Sequence, residues 1–345
     1  MTRRTATLAF AGAILVVLVA VAALLPVPYV VYSPGPMENA LGDDVISVAG
    51  AETFETDGVL NLTTVGMTPA DVRLDLLTAL QAWVDPDRAL VPRDLIYGPD
   101  ETAEEVREEN ARFMRRSQDS AKAAALRELG YDVPETVLID MVVDGSPADG
   151  TLEPGDIVEE VDGEPVTTPQ DVVDAVRAHE PGETVEVVVR RGGESMTLTV
   201  DTVESEEGHA QVGAGVGVGY EFPVQIEVNI NDRIGGPSAG MIFALAIYDT
   251  LTPGALLEDL RVAGTGEITD DGEVGAIGGI QQKIAAAAHD DIELFLAPAP
   301  NCDDVVGARN GDMQVVSIET LDDAIEAVEA AAAGDTQSLP SCSLS

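Results

Sequence analysis

The stretch Leu8 to Leu25, LAFAGAILVVLVAVAALL, carries no charge and ends at Pro26. As a helix it matches the ~30 Å hydrocarbon thickness of a bilayer, so it needs lipid or a large apolar partner. Arg3 and Arg4 precede it and nothing basic comes closely after it. The positive-inside rule therefore puts residues 1–7 in the cytoplasm, makes 8–25 a transmembrane anchor and exports the rest. The expected address is the cell membrane, single-pass, with the bulk of the chain extracytoplasmic. A cleaved signal peptide is the alternative, with Ala20-Val21-Ala22 as its cleavage site. The apolar run continues past that site, which favours a retained anchor.

The chain beyond the anchor is strongly acidic, the whole sequence holding 62 Asp and Glu against 18 Lys and Arg. Phosphate would be repelled by such a surface, so no nucleic-acid partner is expected. Cys302 and Cys342 are too few for a disulfide framework, and with three scattered histidines they make no metal site; whether the two cysteines pair stays open. No metal or cofactor is expected.

The 345 residues suffice for two or three domains. Residues 26–130 open with a Pro- and Gly-punctuated stalk. Two alternating apolar runs around Asp57-Gly58 then read as a hairpin. TPADVRLDLLTALQAWV reads as a helix capped by Thr68 with Pro69 at its first position, and Glu101 to Leu129 as one long helix or two in sequence. Residues 131–203 are rich in strands around one helix, TPQDVVDAVRAHE, capped by Thr168. Residues 204–334 alternate: a Gly-rich entry, a strand in EFPVQIEVNI, helices at Met241 to Tyr248 and Gln281 to Ala288, strands LFLAP and MQVVSI, and a last helix LDDAIEAVEAAAA. The tail 335–345 has few apolar groups and is expected to be disordered. The fold class is α+β.

The middle segment, through GSPADGTLEPGDIVEEVDGEPV and its strand-rich ending, resembles a PDZ domain of the bacterial type. That resemblance implies an open sheet edge beside the helix Gln170 to Ala178, where an extended peptide adds as a strand. Leu129, Gly130 and Tyr131 are the candidate loop for a peptide carboxylate.

In NDRIGGPSAGMIFALAIYD, Ser238 stands after Gly-Gly-Pro and before a helix. A serine hydroxyl attacks only when a base takes its proton. His289 closes an Ala-rich helix, His209 lies in an acidic linker and His179 ends the PDZ helix, so a Ser-His-Asp triad is disfavoured. Of the 18 basic residues only Lys122 and Lys283 are lysines, and Lys283 sits among glycines and alanines in IGGIQQKIAAAA. Bringing an ammonium from ~10.4 to neutrality takes about 3 pH units of desolvation or cationic repulsion, which such surroundings can supply. Arginine cannot replace it. The acidic surface opposes this fall, so an alkaline limb of activity is expected.

GGPSAG, with AGTGEITDDGEVGAIGGIQQKIAAAAHD after it, resembles the proteolytic domain of the Lon family, a Ser-Lys peptidase. By that resemblance Ser238 is the nucleophile, Lys283 the general base and Thr265 the hydroxyl that orients the amine. Free N–H groups ahead of a helix can face a developing oxyanion, with the Ser238 amide as first candidate and the Gly236 amide as second. Gly235 stands where the wider family commonly has an acidic residue. No G-x-x-x-x-G-K with Ser or Thr next to it occurs in the sequence, so an ATP-driven unfoldase is missing and ATP-independent cleavage is implied. The whole order, with VYSPGP, GVLNLTTV and the SQDSAKAAALRELGY run, resembles membrane-anchored, PDZ-containing Lon-like proteases of bacteria. This implies a serine endopeptidase cutting exported or exposed polypeptides that the PDZ domain recruits, in a homo-oligomeric ring. The alternative is a PDZ adaptor or scaffold with a catalytically silent Lon-like domain. Segment order also suggests that the residue 44–66 hairpin shares the protease sheet, with Leu60 to Thr64 against Val224 to Ile230 and the PDZ module inserted between.

Overall fold

The computed structural model describes residues 3–99, 101–231 and 233–342, with the side chains of residues 3–6, 9 and 23 also outside the description. The expected cytoplasmic N-terminus and disordered tail each fall partly outside the described residues, at 1–2 and 343–345. The chain forms two compact units, one of residues 1–130 with 224–345 and the other of residues 131–223.

The first unit begins with α1 (Arg3–Leu24). Among the described residues no helix is long and apolar enough to cross a membrane. Strands β1 (Tyr29–Asn39), β2 (Ile46–Ala49) and β3 (Val59–Met67) come next. β3 pairs with β1 rather than β2, so the expected hairpin around Asp57-Gly58 does not form. Helix α2 (Leu76–Val84) is capped by Asp75, whose Oδ1 accepts from Thr78 N at 2.9 Å. It starts later than the Thr68 cap expected, because Leu74 O is engaged by Val27 N and the Thr68 hydroxyl accepts from Val31 N. β4 (Ala89–Pro92) pairs with β1. α3 (Ala103–Glu128) opens on a capping box between Thr102 and Glu105.

The second unit holds β5 (Glu135–Val142), β6 (Ile157–Val161), β7 (Glu164–Pro165), α4 (Pro169–Arg177), β8 (Thr184–Arg191), β9 (Glu194–Asp201), β10 (Val203–Glu204), β11 (Ala210–Gln211) and β12 (Ala214–Tyr220). Its main sheet runs β12-β5-β6-β8-β9 around a core of Val137, Ile139, Val158, Val187 and Val189. α4 has the Thr168 cap and Pro169 start expected. The unit extends past residue 203 because VGAGVGVGY, read as an entry to the next domain, is its edge strand. Glycine disfavours strands in general. Here a Cβ at Gly219 would lie 2.5 Å from Leu138 Cδ2, and one at Gly215 would lie 2.8 Å from Met141 Cγ, so close approach to β5 requires the missing side chains.

Back in the first unit come β13 (Gln225–Val228), α5 (Gly240–Leu251), β14 (Arg261–Gly264), β15 (Glu267–Ile268), β16 (Val274–Gly275), α6 (Ile280–Ala288), β17 (Leu294–Pro298), α7 (Cys302–Val305), β18 (Gln314–Ile318) and α8 (Leu321–Ala332). The sheet order is β18-β17-β14-β3-β1-β4, parallel from β18 to β3 and antiparallel beyond. Leu60 to Leu62 therefore meet Val262 to Gly264, whereas Gln225 to Val228 pair with β2; the two segments share a unit but not the register expected. α5 is apolar on every side, with Met241 to Ile247 buried throughout.

The described part of the tail is ordered. Ser341 bridges Val316 on the open edge of β18, Ser317 N donates to Pro340 O at 2.9 Å, and Cys342 is bonded to Cys302. A free strand edge and a covalent link offset the ordering entropy that composition alone could not.

Candidate active site

Three segments of the first unit bring Ser238, Thr265 and Lys283 together. Ser238 lies in the turn before α5, Thr265 just after β14, and Lys283 one turn into α6. Lys283 Nζ is 2.7 Å from Ser238 Oγ and 2.7 Å from Thr265 Oγ1. The Thr265 hydroxyl donates to Ser238 O at 2.8 Å, so its oxygen is left to accept from the amine. An uncharged amine that donates to Thr265 Oγ1 can turn its lone pair to the Ser238 hydroxyl. Gly266 N also donates to Ser238 O (2.9 Å), and Met241 N to Gly266 O (3.1 Å), which stitches the serine turn to the threonine segment.

Thr265 is fully buried and Lys283 only 2% exposed. Burial pushes the Lys283 amine down to about 7, against a smaller opposing pull from the Glu267 carboxylate. Glu267, on β15, is itself raised by desolvation, with Lys283 acting against that rise. A lysine neutral at moderate pH is what the serine requires for proton removal.

α6 is aimed from its first residues. Gly279 has φ of 70°, and a Cβ there would lie 2.7 Å from Val65 Cγ2, so only glycine fits between the helix start and β3. Just ahead of it Ile277 is held by Asn301, 4% exposed, whose side chain accepts from Ile277 N at 2.8 Å and donates to Ile277 O at 3.0 Å.

Of the two oxyanion candidates, the Ser238 amide meets no backbone carbonyl among the described residues and remains available. The Gly236 amide does not: it donates to Asn110 O of α3 at 3.1 Å. Packing of α3 against the serine loop takes this second candidate away. The candidate loop Leu129, Gly130 and Tyr131 lies where the two units divide. Leu129 caps α3, Gly130 ends it with a left-handed φ of 80°, and the boundary between the two units falls before Tyr131. The sheet edge beside α4 is β12, entered through Val212 and Gly213. Within the second unit His179 sits 2.7 Å from Asp162; His289, exposed at the end of α6, is 4.0 Å from Asp87. Neither histidine has Ser238 as a hydrogen-bond partner.

Ser117 is a residue that sequence reasoning passed over. It lies on the buried stripe of α3 with Met114, Ala121 and Ala124, and its hydroxyl donates to Pro237 O at 2.8 Å. A lone hydroxyl on an otherwise apolar stripe was the available signal. Ser117→Ala is expected to lower kcat/KM about fivefold through kcat, with KM little changed, because about 1 kcal/mol of positioning is lost. A variant that loses only thermal stability, at unchanged kcat/KM, would make Ser117 purely structural.

Comparison with known proteins finds two families in the chain. Residues 112–202 match the PDZ domain family, and residues 231–330 match the Lon protease (S16) C-terminal proteolytic domain, so the chain carries both. Lon protease of Paraburkholderia phytofirmans is 41% identical over 97 residues, which is 27% of this chain and 12% of that protein. Lon protease of Campylobacter concisus is 38% identical over 95 residues, 26% of this chain and 12% of its own length. Lon protease of Xanthomonas oryzae is 29% identical over 144 residues, 40% of this chain and 15% of its own. The matched region is thus a small fraction of those relatives. Among solved structures, the PDZ domain of an SdrC-like protein from Listeria monocytogenes is 23% identical, covering 24% of this chain and 86% of that one with a TM-score of 0.23.

Proposed function

We propose that this chain, with its PDZ domain and Lon-type proteolytic domain, is an ATP-independent, membrane-anchored serine endopeptidase that cuts exposed segments of exported polypeptides. The observation that carries the reading is the buried Lys283 amine at 2.7 Å from Ser238 Oγ. Lys283 takes the hydroxyl proton as Ser238 attacks the peptide carbonyl, the Ser238 amide receives the developing oxyanion, and the protonated amine then returns its proton to the leaving nitrogen. Water repeats the sequence to release the acyl group. Thr265 holds the amine in register throughout.

The missing P-loop pattern supports independence from ATP. The anchor is a reading of the uncharged sequence Leu8 to Leu25, along which Leu8, Phe10 and Leu15 to Val19 are exposed. Recruitment of extended segments is assigned to the open edge of β12 beside α4.

Purified full-length chain in detergent, given an unstructured polypeptide, is expected to cleave it equally with and without ATP and Mg²⁺. Ser238→Ala is expected to abolish cleavage while leaving the circular-dichroism spectrum unchanged. Cleavage retained by Ser238→Ala, or cleavage that requires ATP, would overturn the corresponding part of the proposal.

A further inference from the structure

α2 begins where α1 ends. Leu76 N donates to Leu25 O at 3.0 Å, Val27 N to Leu74 O at 2.8 Å, and Pro26 bridges Asp75. One side of α2 is closed against the protein through Ala79 and Ala82. The other presents Leu77, Leu80, Trp83 and Val84 to the outside, Trp83 being 74% exposed and Val84 72%. In a chain with 62 acidic residues, LLTALQAWV contains no charge at all. The apolar surface continues around the base of α1: Tyr29 pairs with Pro92, Arg93 N donates to Pro28 O, and Leu95 on the next turn is 74% exposed. A collar of aliphatic and aromatic side chains thus surrounds the point where the apolar helix enters the folded domain.

From this juxtaposition we infer that α2 is an interfacial helix, lying in the headgroup and upper acyl region of the bilayer with Trp83 as its indole anchor. The occupant is lipid because α2 is hydrogen-bonded to Leu25, the residue that follows α1, and so shares the depth of its end. If α1 spans the membrane, its C-terminal end lies at the interface, where Trp and Tyr are favoured and an apolar helix face buries by ~5–10 Å. The collar fixes the height and tilt of the folded domain above the membrane. The inference rests on the anchor reading of α1.

Trp83 is the single tryptophan of the chain, so intrinsic fluorescence reports on this collar alone. Full-length chain is reconstituted in zwitterionic phosphatidylcholine vesicles carrying a nitroxide near the headgroup or deep in the acyl chain. Flotation reports the anchor independently. The expected result is co-flotation, blue-shifted emission, and quenching at least about twofold stronger from the shallow label than from the deep one. Leu80→Glu with Val84→Glu, both on the outer surface, is expected to red-shift the emission and remove that quenching while flotation persists. Co-flotation with water-like, lipid-unquenched emission would overturn the collar and leave the anchor standing. Blue-shifted emission that no lipid label quenches would mean that protein, such as a second copy, covers α2, and would equally overturn it. Failure to float would overturn the anchor and the collar together.

Discussion

Lys283→Met is expected to abolish peptide cleavage, by about a thousandfold or more, and at the same time to make the protein more stable below neutral pH. The two effects have one cause. The folded protein holds the amine where burial brings its pKa to about 7, whereas the unfolded chain binds that proton up to the ordinary lysine range. Between those limits the unfolded state carries more protons, so wild-type stability rises with pH across this window and the full penalty is present below about 7. Methionine fills the same volume without an ionisable group. Near pH 6 the expected gain is about 4 kcal/mol, shrinking toward zero as the pH approaches 10. Thermal unfolding of both proteins from pH 6 to 10 measures it. Parallel curves for wild type and variant would mean that the lysine is solvated and unsuited to act as a base.

The second large effect concerns the tail. Cys302 and Cys342 close a loop with a sequence separation of 40, and loop-closure entropy gives about 4 kcal/mol for a link of that size. Cys342→Ser is expected to lower stability by about 3–4 kcal/mol, and a reductant should bring the wild type to the same melting temperature without further affecting the variant. The loss reaches the site through Asn301, next to Cys302, whose side chain holds Ile277 ahead of α6. Activity near the melting midpoint should fall with the folded fraction. Equal melting temperatures in oxidised and reduced wild type would contradict this account.

Much of the site could be read from residues alone. Ser238 and Lys283 stand in segments whose glycines and alanines already imply close approach and low polarity, Thr265 entered through the resemblance to the Lon proteolytic domain, and the structure puts their reactive atoms in contact. The cap of α4 was equally legible, being a local bond between residues three apart. What eluded the sequence depends on distant partners. β2 finds β13 rather than β3, the glycine-alternating β12 finds β5, and the tail finds the edge of β18, each pairing fixed by tertiary packing that local pattern cannot encode. The Gly236 amide was misassigned for the same reason. Its acceptor, Asn110 O, comes from a helix more than a hundred residues earlier in the chain. Ser117 reaches Pro237 from that same helix, so α3 frames the serine loop, and its one signal was a lone hydroxyl on a buried stripe of an otherwise charged helix.

Burial also sets where the expected alkaline limb lies. Desolvation of Lys283 outweighs the opposing pull of Glu267, so activity should rise with pH around a midpoint near 7 and not in the ordinary lysine range. The acidic exterior is therefore a secondary influence on a group this well shielded.

The protonation state of Lys283 can be observed directly, because Lys122 and Lys283 are the only lysines in the chain. Full-length protein labelled with carbon-13 at the lysine ε-carbon should give two resonances, with the Lys283 signal assigned by its absence from Lys283→Met. The expected result is a Lys283 resonance that titrates with a midpoint near 7 and shifts when Thr265→Val removes the hydroxyl beside it. A Lys283 resonance that stays protonated to pH 10 would contradict the account.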